Sequence, residues 1–366
     1  MPDWSQIRSR FPALAGRTFL NSATIGQMPH AASEAIHEHL LRRDRLAGAD
    51  LVSWFDDLDR LRGKLGQLIN ASAADIAFVP STSHALSILL QGIPWKSGDK
   101  VLTLEDEFPN NSYAPALLER LGVELIEAPR DRFEEFLDGR VRLVLASAMS
   151  YLDGYRFPWR SVRETLDRNG TLLYLDGTQG CGVLHLDMQE IRPDLMGVHG
   201  YKWMLSPTGV GFAYVKPEVR EWLEPTVVGW RSHHSWRDFG NLHHGMPEWS
   251  ATAQRYEGCM QPVALQAAME ASVDLFLEIG PAVIEARALE LAEAVRRAVE
   301  EIGGSVAHPQ SPIAACRFPG VEAGELAKRL EERNVLTSAR KGNLRVSVHL
   351  YNDEGDVNRF ISVLGA

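Results

Sequence analysis

Two stretches decide the reading: residues 172–182, LLYLDGTQGCG, and residues 198–215, VHGYKWMLSPTGVGFAYV. The first is an apolar run that ends on a carboxylate, Asp176, with glycine directly after it. The second holds two short apolar runs joined by a loop with one lysine, Lys202, between Tyr201 and Trp203. Short Leu, Val and Ile runs without polar alternation are the pattern of strands buried on both faces. Pyridoxal phosphate chemistry needs this pair of groups. A lysine amine forms a Schiff base with the cofactor aldehyde, and a carboxylate keeps the pyridinium nitrogen protonated. Lys202 and Asp176 are therefore the candidate catalytic residues, and pyridoxal 5'-phosphate the candidate cofactor.

Outward from these stretches, strands and helices alternate from about residue 70 to 250. ADIAFVP, KVLTLE, VELIEAP, RLVLASA, TLLYLD, DLMGVHG and GVGFAYV read as strands, and SHALSILLQGI and NSYAPALLERLG as helices. That alternation predicts an α/β fold with a mostly parallel sheet between helices. AASEAIHEHLLRRDRL, residues 31–46, is a helix leading into it. After about Gly258 the pattern changes. One long helical region runs from Pro262 through EARALELAEAVRRAVEEIG, followed by strand IAACRF, helix GELAKRLEERN, strand LRVSVHLY and helix DVNRFISVLG. The expected organisation is an N-terminal segment, residues 1–20, packing on the small domain; a large cofactor-binding domain, residues 21–257; and a smaller α+β domain, residues 258–366.

Composition narrows the class. The 366 residues are 45% hydrophobic and 23% charged, which is ordinary for a globular chain with room for two domains. The net charge of −10 argues against nucleic acid as a partner. The N-terminus, MPDWSQIRSRFPALAG, has neither the apolar core nor the cleavage site of a signal peptide. No run approaches the roughly 18 apolar residues of a membrane helix, so no membrane partner is expected. Cys181, Cys259 and Cys316 are scattered and odd in number, with no disulfide framework or zinc spacing. The expectation is a reduced, cytoplasmic protein without a metal. G-x-G-x-x-G, G-x-x-x-x-G-K-[ST] and G-x-S-x-G are all missing, which argues against nucleotide-dependent oxidoreductases and serine hydrolases.

From NSATIGQMP, residues 21–29, to LRVSVHLYN, residues 344–352, the chain resembles the class V aminotransferases. This family of fold-type I enzymes includes aminotransferases, cysteine desulfurases, kynureninases, lyases and epimerases. The resemblance implies a seven-stranded-type sheet between helices, a small C-terminal domain and a homodimer with active sites near the interface. It makes Lys202 the Schiff-base lysine and Asp176 the partner of the ring nitrogen. Gln179 follows at the family's spacing and is expected on the cofactor's phenolic oxygen. PSTSHALSI, residues 80–88, opens a helix after a strand, and Thr82 and Ser83 are candidates for a phosphate cradle at its N-terminus. Tyr201 and His199, just before the lysine, are further phosphate candidates. EFPNN, residues 107–111, resembles a kynureninase-like segment, so Phe108 is expected to stack on the ring. VVGWRSH, residues 227–233, resembles another, in which Trp230 reaches the neighbouring subunit's phosphate. The family's Gly-Thr contact across the dimer, just after RYEG, is missing here, where the chain reads Arg255-Tyr256-Glu257-Gly258-Cys259-Met260.

Arg345, in LRVSVHLYN, is expected to clamp the substrate α-carboxylate, with Arg340 beside it for a distal carboxylate and Thr24 touching substrate. The resemblance thus points to an amino acid as substrate and favours an aminotransferase, with a side-chain lyase or an epimerase as alternatives. VLTSARKGNL, residues 335–344, lacks the cysteine that desulfurases carry before this arginine. A catalytically dead scaffold has no need to keep Lys202, Asp176, Gln179 and Arg345 together. His233, His234, His243 and His244 read as a pocket wall or an exposed loop.

Overall fold

The computed structural model describes residues 2–365. Its strands, in chain order, are β1 (Thr18–Phe19), β2 (Ile76–Val79), β3 (Lys100–Leu104), β4 (Glu124–Ala128), β5 (Val141–Ser147), β6 (Leu172–Asp176) and β7 (Leu195–His199). They continue with β8 (Gly211–Val215), β9 (Ser305–Ala307), β10 (Ile313–Arg317), β11 (Val335–Leu336), β12 (Ser338–Arg340) and β13 (Asn343–Ser347). Seven of them form the large sheet in the order β2-β8-β7-β6-β5-β3-β4. Alternate residues of each strand enter separate apolar clusters on the two faces. Leu143 and Leu145 pack with Tyr174 and Val215 on one face, while Val144 and Ala146 pack with Leu175 and Phe212 on the other. Burial on both faces is why the strands carry no polar alternation.

Every strand of this sheet is parallel to its neighbours except β8, which is antiparallel to both β2 and β7. Only residues 200–210 separate β7 from β8. A parallel return needs a crossover of about a dozen residues or more. The short link therefore turns back as a compact loop, and that loop carries Lys202.

The small sheet runs β12-β13-β10-β9, wholly antiparallel, over its own apolar cluster. β1 pairs in parallel with β11, and Arg8 reaches Asp356 at 2.7 Å, so the N-terminal segment lies against C-terminal elements. The helical region after Pro262 is two helices, Val263–Ile279 and Pro281–Glu301, split at Gly280 with φ +94°. The first packs on helices His30–Leu46 and Leu51–Leu68, and the second on β9 and β10. The sequence pattern merged them because both are apolar on one face. Helix Leu51–Leu68 went unread although eight of its residues are buried. Among the described residues, no helix is long and apolar enough to cross a membrane.

Candidate active site

The carboxyl ends of β5, β6 and β7 open into a cavity of about 180 Å³. Ligands collect at this edge of an open α/β sheet. Asp176 closes β6 and Ser147 closes β5 beside it. His199 closes β7, and the loop after it delivers Tyr201 and Lys202. Two glycines let other chain segments clamp that loop. A Cβ on Gly26 would sit 1.9 Å from the Lys202 carbonyl oxygen, and one on Gly182 would sit 2.2 Å from that of Trp203. Gly26 N–H also donates to the Tyr201 carbonyl at 2.9 Å.

Lys202 is 8% exposed, and its Nζ lies 5.4 Å from the centre of the Phe108 ring and 5.5 Å from that of Tyr201. Burial pulls its pKa down to about 8. Asp176 opposes that shift, while Arg345 and Arg340 add to it. A free amine is the form that attacks an aldehyde, so cofactor capture by apoprotein should rise with pH and level off above about 8. The check is the rate at which the visible cofactor band grows from pH 6 to 10, in whole-unit steps. A midpoint near 10.5, the ordinary lysine value, would overturn this.

Asp176 is buried, and burial raises its carboxyl above the usual range. The Thr178 N–H, donating at 2.9 Å, the Thr178 and Thr82 hydroxyls and the Lys202 charge all oppose that rise. A buried carboxylate is stable only when hydrogen-bonded and paired with a cation. Gln179 is pinned at both ends of its amide. Trp203 Nε1, which can only donate, gives a 2.6 Å bond to Oε1, and Nε2 donates to Ala23 O at 3.0 Å. That contact fixes the amide orientation and leaves one Nε2 proton for a ligand.

Helix Thr82–Gly92 begins at the cavity, with Ser81 as its cap. The first-turn N–H groups of Thr82 and Ser83 have no intrahelical acceptor, which suits an anion. The hydroxyls serve other neighbours: that of Thr82 leans on Asp176, and that of Ser83 donates to Asn110 Oδ1 at 2.7 Å. Among the described residues, His199 Nε2 and Asn110 Nδ2 are buried without partners. Burial, and then the Lys202 charge, holds His199 neutral below its ordinary value. Open N–H groups at one end, a buried carboxylate deep in the cavity and an amine between aromatic rings fit pyridoxal phosphate in donor set and polarity.

Phe108 faces the cavity, edge-on to Tyr151 at 5.3 Å between centroids. Arg345 is 1% exposed. It donates to Ser338 Oγ at 3.1 Å, Tyr151 O at 2.6 Å and Thr24 Oγ1 at 2.5 Å, which joins the small sheet, Thr24 and the cavity wall. Arg340 is half-buried and gives a 2.8 Å bond to Ala339 O. Trp230 is not brought to this cavity within one chain; it packs with Phe55, Trp236 and Phe239. His233 stacks on His243 at 4.4 Å and His234 pairs with Glu248. Among the described residues, no three His, Cys, Asp or Glu side chains gather as a metal site.

Sequence reasoning missed Tyr151, Thr178, Ser147, Asn110 and Glu107. Ser147 and Tyr151 lie at or just past the end of β5, and the rule of strand carboxyl ends could have found them. Glu107 accepts from Ser147 N at 2.8 Å, Ser147 Oγ at 2.5 Å and Asn111 Nδ2 at 3.1 Å, so it ties the Phe108 loop to β5. Burial raises its carboxyl, and the nearby Asp176 adds to that.

The family described as Aminotransferase class-V matches residues 19–360. Isopenicillin N epimerase of Streptomyces clavuligerus is 27% identical over 406 residues, covering 100% of this chain and 98% of its own. The uncharacterized aminotransferase YcbU of Bacillus subtilis is 24% identical over 378 residues, covering 99% and 97%. The solved complex of the cystine C-S lyase C-DES with its product cysteine persulfide superposes with a TM-score of 0.88 at 23% identity, covering 96% of this chain and 98% of that one. The cavity, its amine and carboxylate, and the match over nearly the whole length agree: the chain belongs to the class V aminotransferase family of pyridoxal 5'-phosphate-dependent enzymes.

Proposed function

We propose that this protein is an aminotransferase that takes the amino group from an amino acid with a free α-carboxylate, working as a homodimer. The observation that supports pyridoxal phosphate chemistry on an amino acid is Lys202, a buried amine drawn down to about 8, in one cavity with Asp176 and close enough to Arg345 to feel its charge; this pair serves lyase and epimerase chemistry as well, and transamination is favoured by the family match. When bound, the cofactor's protonated ring withdraws electrons from the substrate's α-carbon. Asp176 holds that ring protonated. Thr82, Ser83, Asn110 and His199 hold the phosphate, and Gln179 the phenolic oxygen. Arg345 fixes the α-carboxylate with a planar fork and so sets which α-carbon bond faces Lys202. Lys202 would take the α-proton and, for transamination, deliver a proton on the far side of the substrate nitrogen instead of back to the α-carbon.

A thiol-dependent desulfurase is disfavoured. Residues 335–344 hold no cysteine, Cys181 and Cys316 are buried with thiols pushed up to about 12, and the exposed Cys259 does not line the cavity. Support for the dimer comes from Trp222, Val227, Val228, Trp230, Phe239, Leu242 and Met246, apolar side chains exposed in one segment. A single-chain mass by light scattering would remove that part of the proposal.

The test is an absorbance series on holoenzyme with L-amino acids and no keto acid. A transaminase loses its visible cofactor band once, stoichiometrically, and regains it on adding a keto acid. Persistence of the band while product accumulates over many turnovers would replace this reading with a lyase or an epimerase, and the product tells which.

A further inference from the structure

The charges around the cavity do not balance. β12 and β13 place Ser338 opposite Arg345 and Arg340 opposite Asn343. Residues two apart on a strand share a face, so Arg340 and Arg345 are diagonal neighbours on one face of the small sheet, about 7–8 Å apart. Arg345 reaches Tyr151 and Thr24, so this face turns toward the cavity that Tyr151 and Lys202 line. Among the described residues, neither guanidinium has a carboxylate within ion-pair distance; their acceptors are the hydroxyls and carbonyls named above. Nearby acids are engaged elsewhere. Asp106 holds Lys341, Asp153 holds Arg130, and Glu107 accepts from Ser147 and Asn111. The Lys341–Asp106 pair also links the β12–β13 turn to the loop that carries Phe108.

Two like charges held this close repel, and the repulsion shows in their neighbours. The Arg340 charge helps burial draw Arg345 down to about 9 and Lys202 down to about 8. An α-carboxylate on Arg345 neutralises one charge and leaves the other. We propose that the substrate is an amino acid with an acidic side chain, its α-carboxylate on Arg345 and its second carboxylate on Arg340. This rests on the reading above that the enzyme acts on an amino acid, and it makes Arg340 a specificity-determining residue.

The experiment compares L-aspartate with L-asparagine and L-glutamate with L-glutamine, with L-alanine as a reference, by the rate of loss of the holoenzyme's cofactor band. The amides match the acids in shape and lack the charge. The better acid should outrun its amide by about ten- to a hundredfold, the range of one charge-assisted hydrogen bond against a neutral one. Arg340→Gln should collapse that ratio toward one, and Arg340→Lys should keep part of it, having the charge without the fork. A purely structural role for Arg340 would lower all five substrates by one factor, and that result overturns the proposal. So does a wild-type enzyme that treats acids and amides alike while alanine reacts. If no amino acid changes the band and none yields product, the amino-acid reading falls and takes this one with it; if product accumulates while the band persists, the same five substrates are compared by rate of product formation.

Discussion

Lys202→Ala should abolish turnover, by on the order of 10³- to 10⁴-fold or more, while leaving the fold intact. The large effect has two sources. The amine is the covalent anchor of the cofactor in this family, and it is the buried base that shares the cavity with Asp176. The fold should not suffer. Among the described residues, the ammonium makes no hydrogen bond or ion pair, and burial already disfavours its charged form. Loss of that group removes its own burial cost and, against it, the charge that favours ionised Asp176, so the net change is small. Three readings check this: turnover, the visible band after adding pyridoxal phosphate, and the melting curve of the apoprotein. Residual turnover above about one per cent of wild type would show that another group serves as the base.

Asp176→Asn should split function from stability. Asparagine keeps the shape but cannot hold a ring nitrogen protonated, so turnover should fall by about 10²- to 10³-fold, as for removal of one preorganised electrostatic partner. Some cofactor should still bind, since Lys202 and the helix N-terminus are untouched. Apoprotein stability should move the other way. Burial raises the folded-state pKa of Asp176 above its ordinary 3.8. The contribution of such a group is fully present below 3.8 and is lost as pH rises through the folded value. At neutral pH its charge therefore weighs against the apo fold, and a neutral asparagine lifts that weight. The apo variant should melt above wild type at pH 7, and the gap should close as the pH falls below 3.8. Near-normal turnover would end the assigned role of Asp176. An unchanged or lower apo melting point at pH 7 would show that its bonds to Thr178 and Thr82 outweigh its burial.

Much of this was legible because it is local. Seven short, largely apolar runs became the seven strands of the large sheet, since a strand buried on both faces needs only apolar residues in sequence; edge strand β4 departs from this with exposed Glu124 and Glu127. Asp176 could be read because it ends a strand before a glycine, and Lys202 because it stands in the short glycine-flanked loop just after one. Cavity-lining Thr82, Ser83, Phe108, Gln179, His199 and Tyr201 could be read because their motifs keep fixed spacing to those two. The hydroxyls of Thr82 and Ser83 were not legible, because what they face, Asp176 and Asn110, comes from other segments.

The sequence by itself determined the α/β class, most strands of the large sheet and the cofactor, and it singled out the amine and carboxylate proposed to serve that cofactor. These follow from side-chain periodicity and residue chemistry within a few neighbours. The tertiary structure alone decided that β8 runs against its neighbours, that the helical region splits at Gly280 onto two different partners, and that Glu107 ties the Phe108 loop to β5. It alone placed Arg345 against Thr24 and Tyr151, partners 321 and 194 residues away in the chain. It also set Arg340 diagonal to Arg345 with, among the described residues, no acid paired to either. Each of these depends on which strand edges meet, and cross-strand pairing brings together residues whose separation along the chain carries no periodic signal.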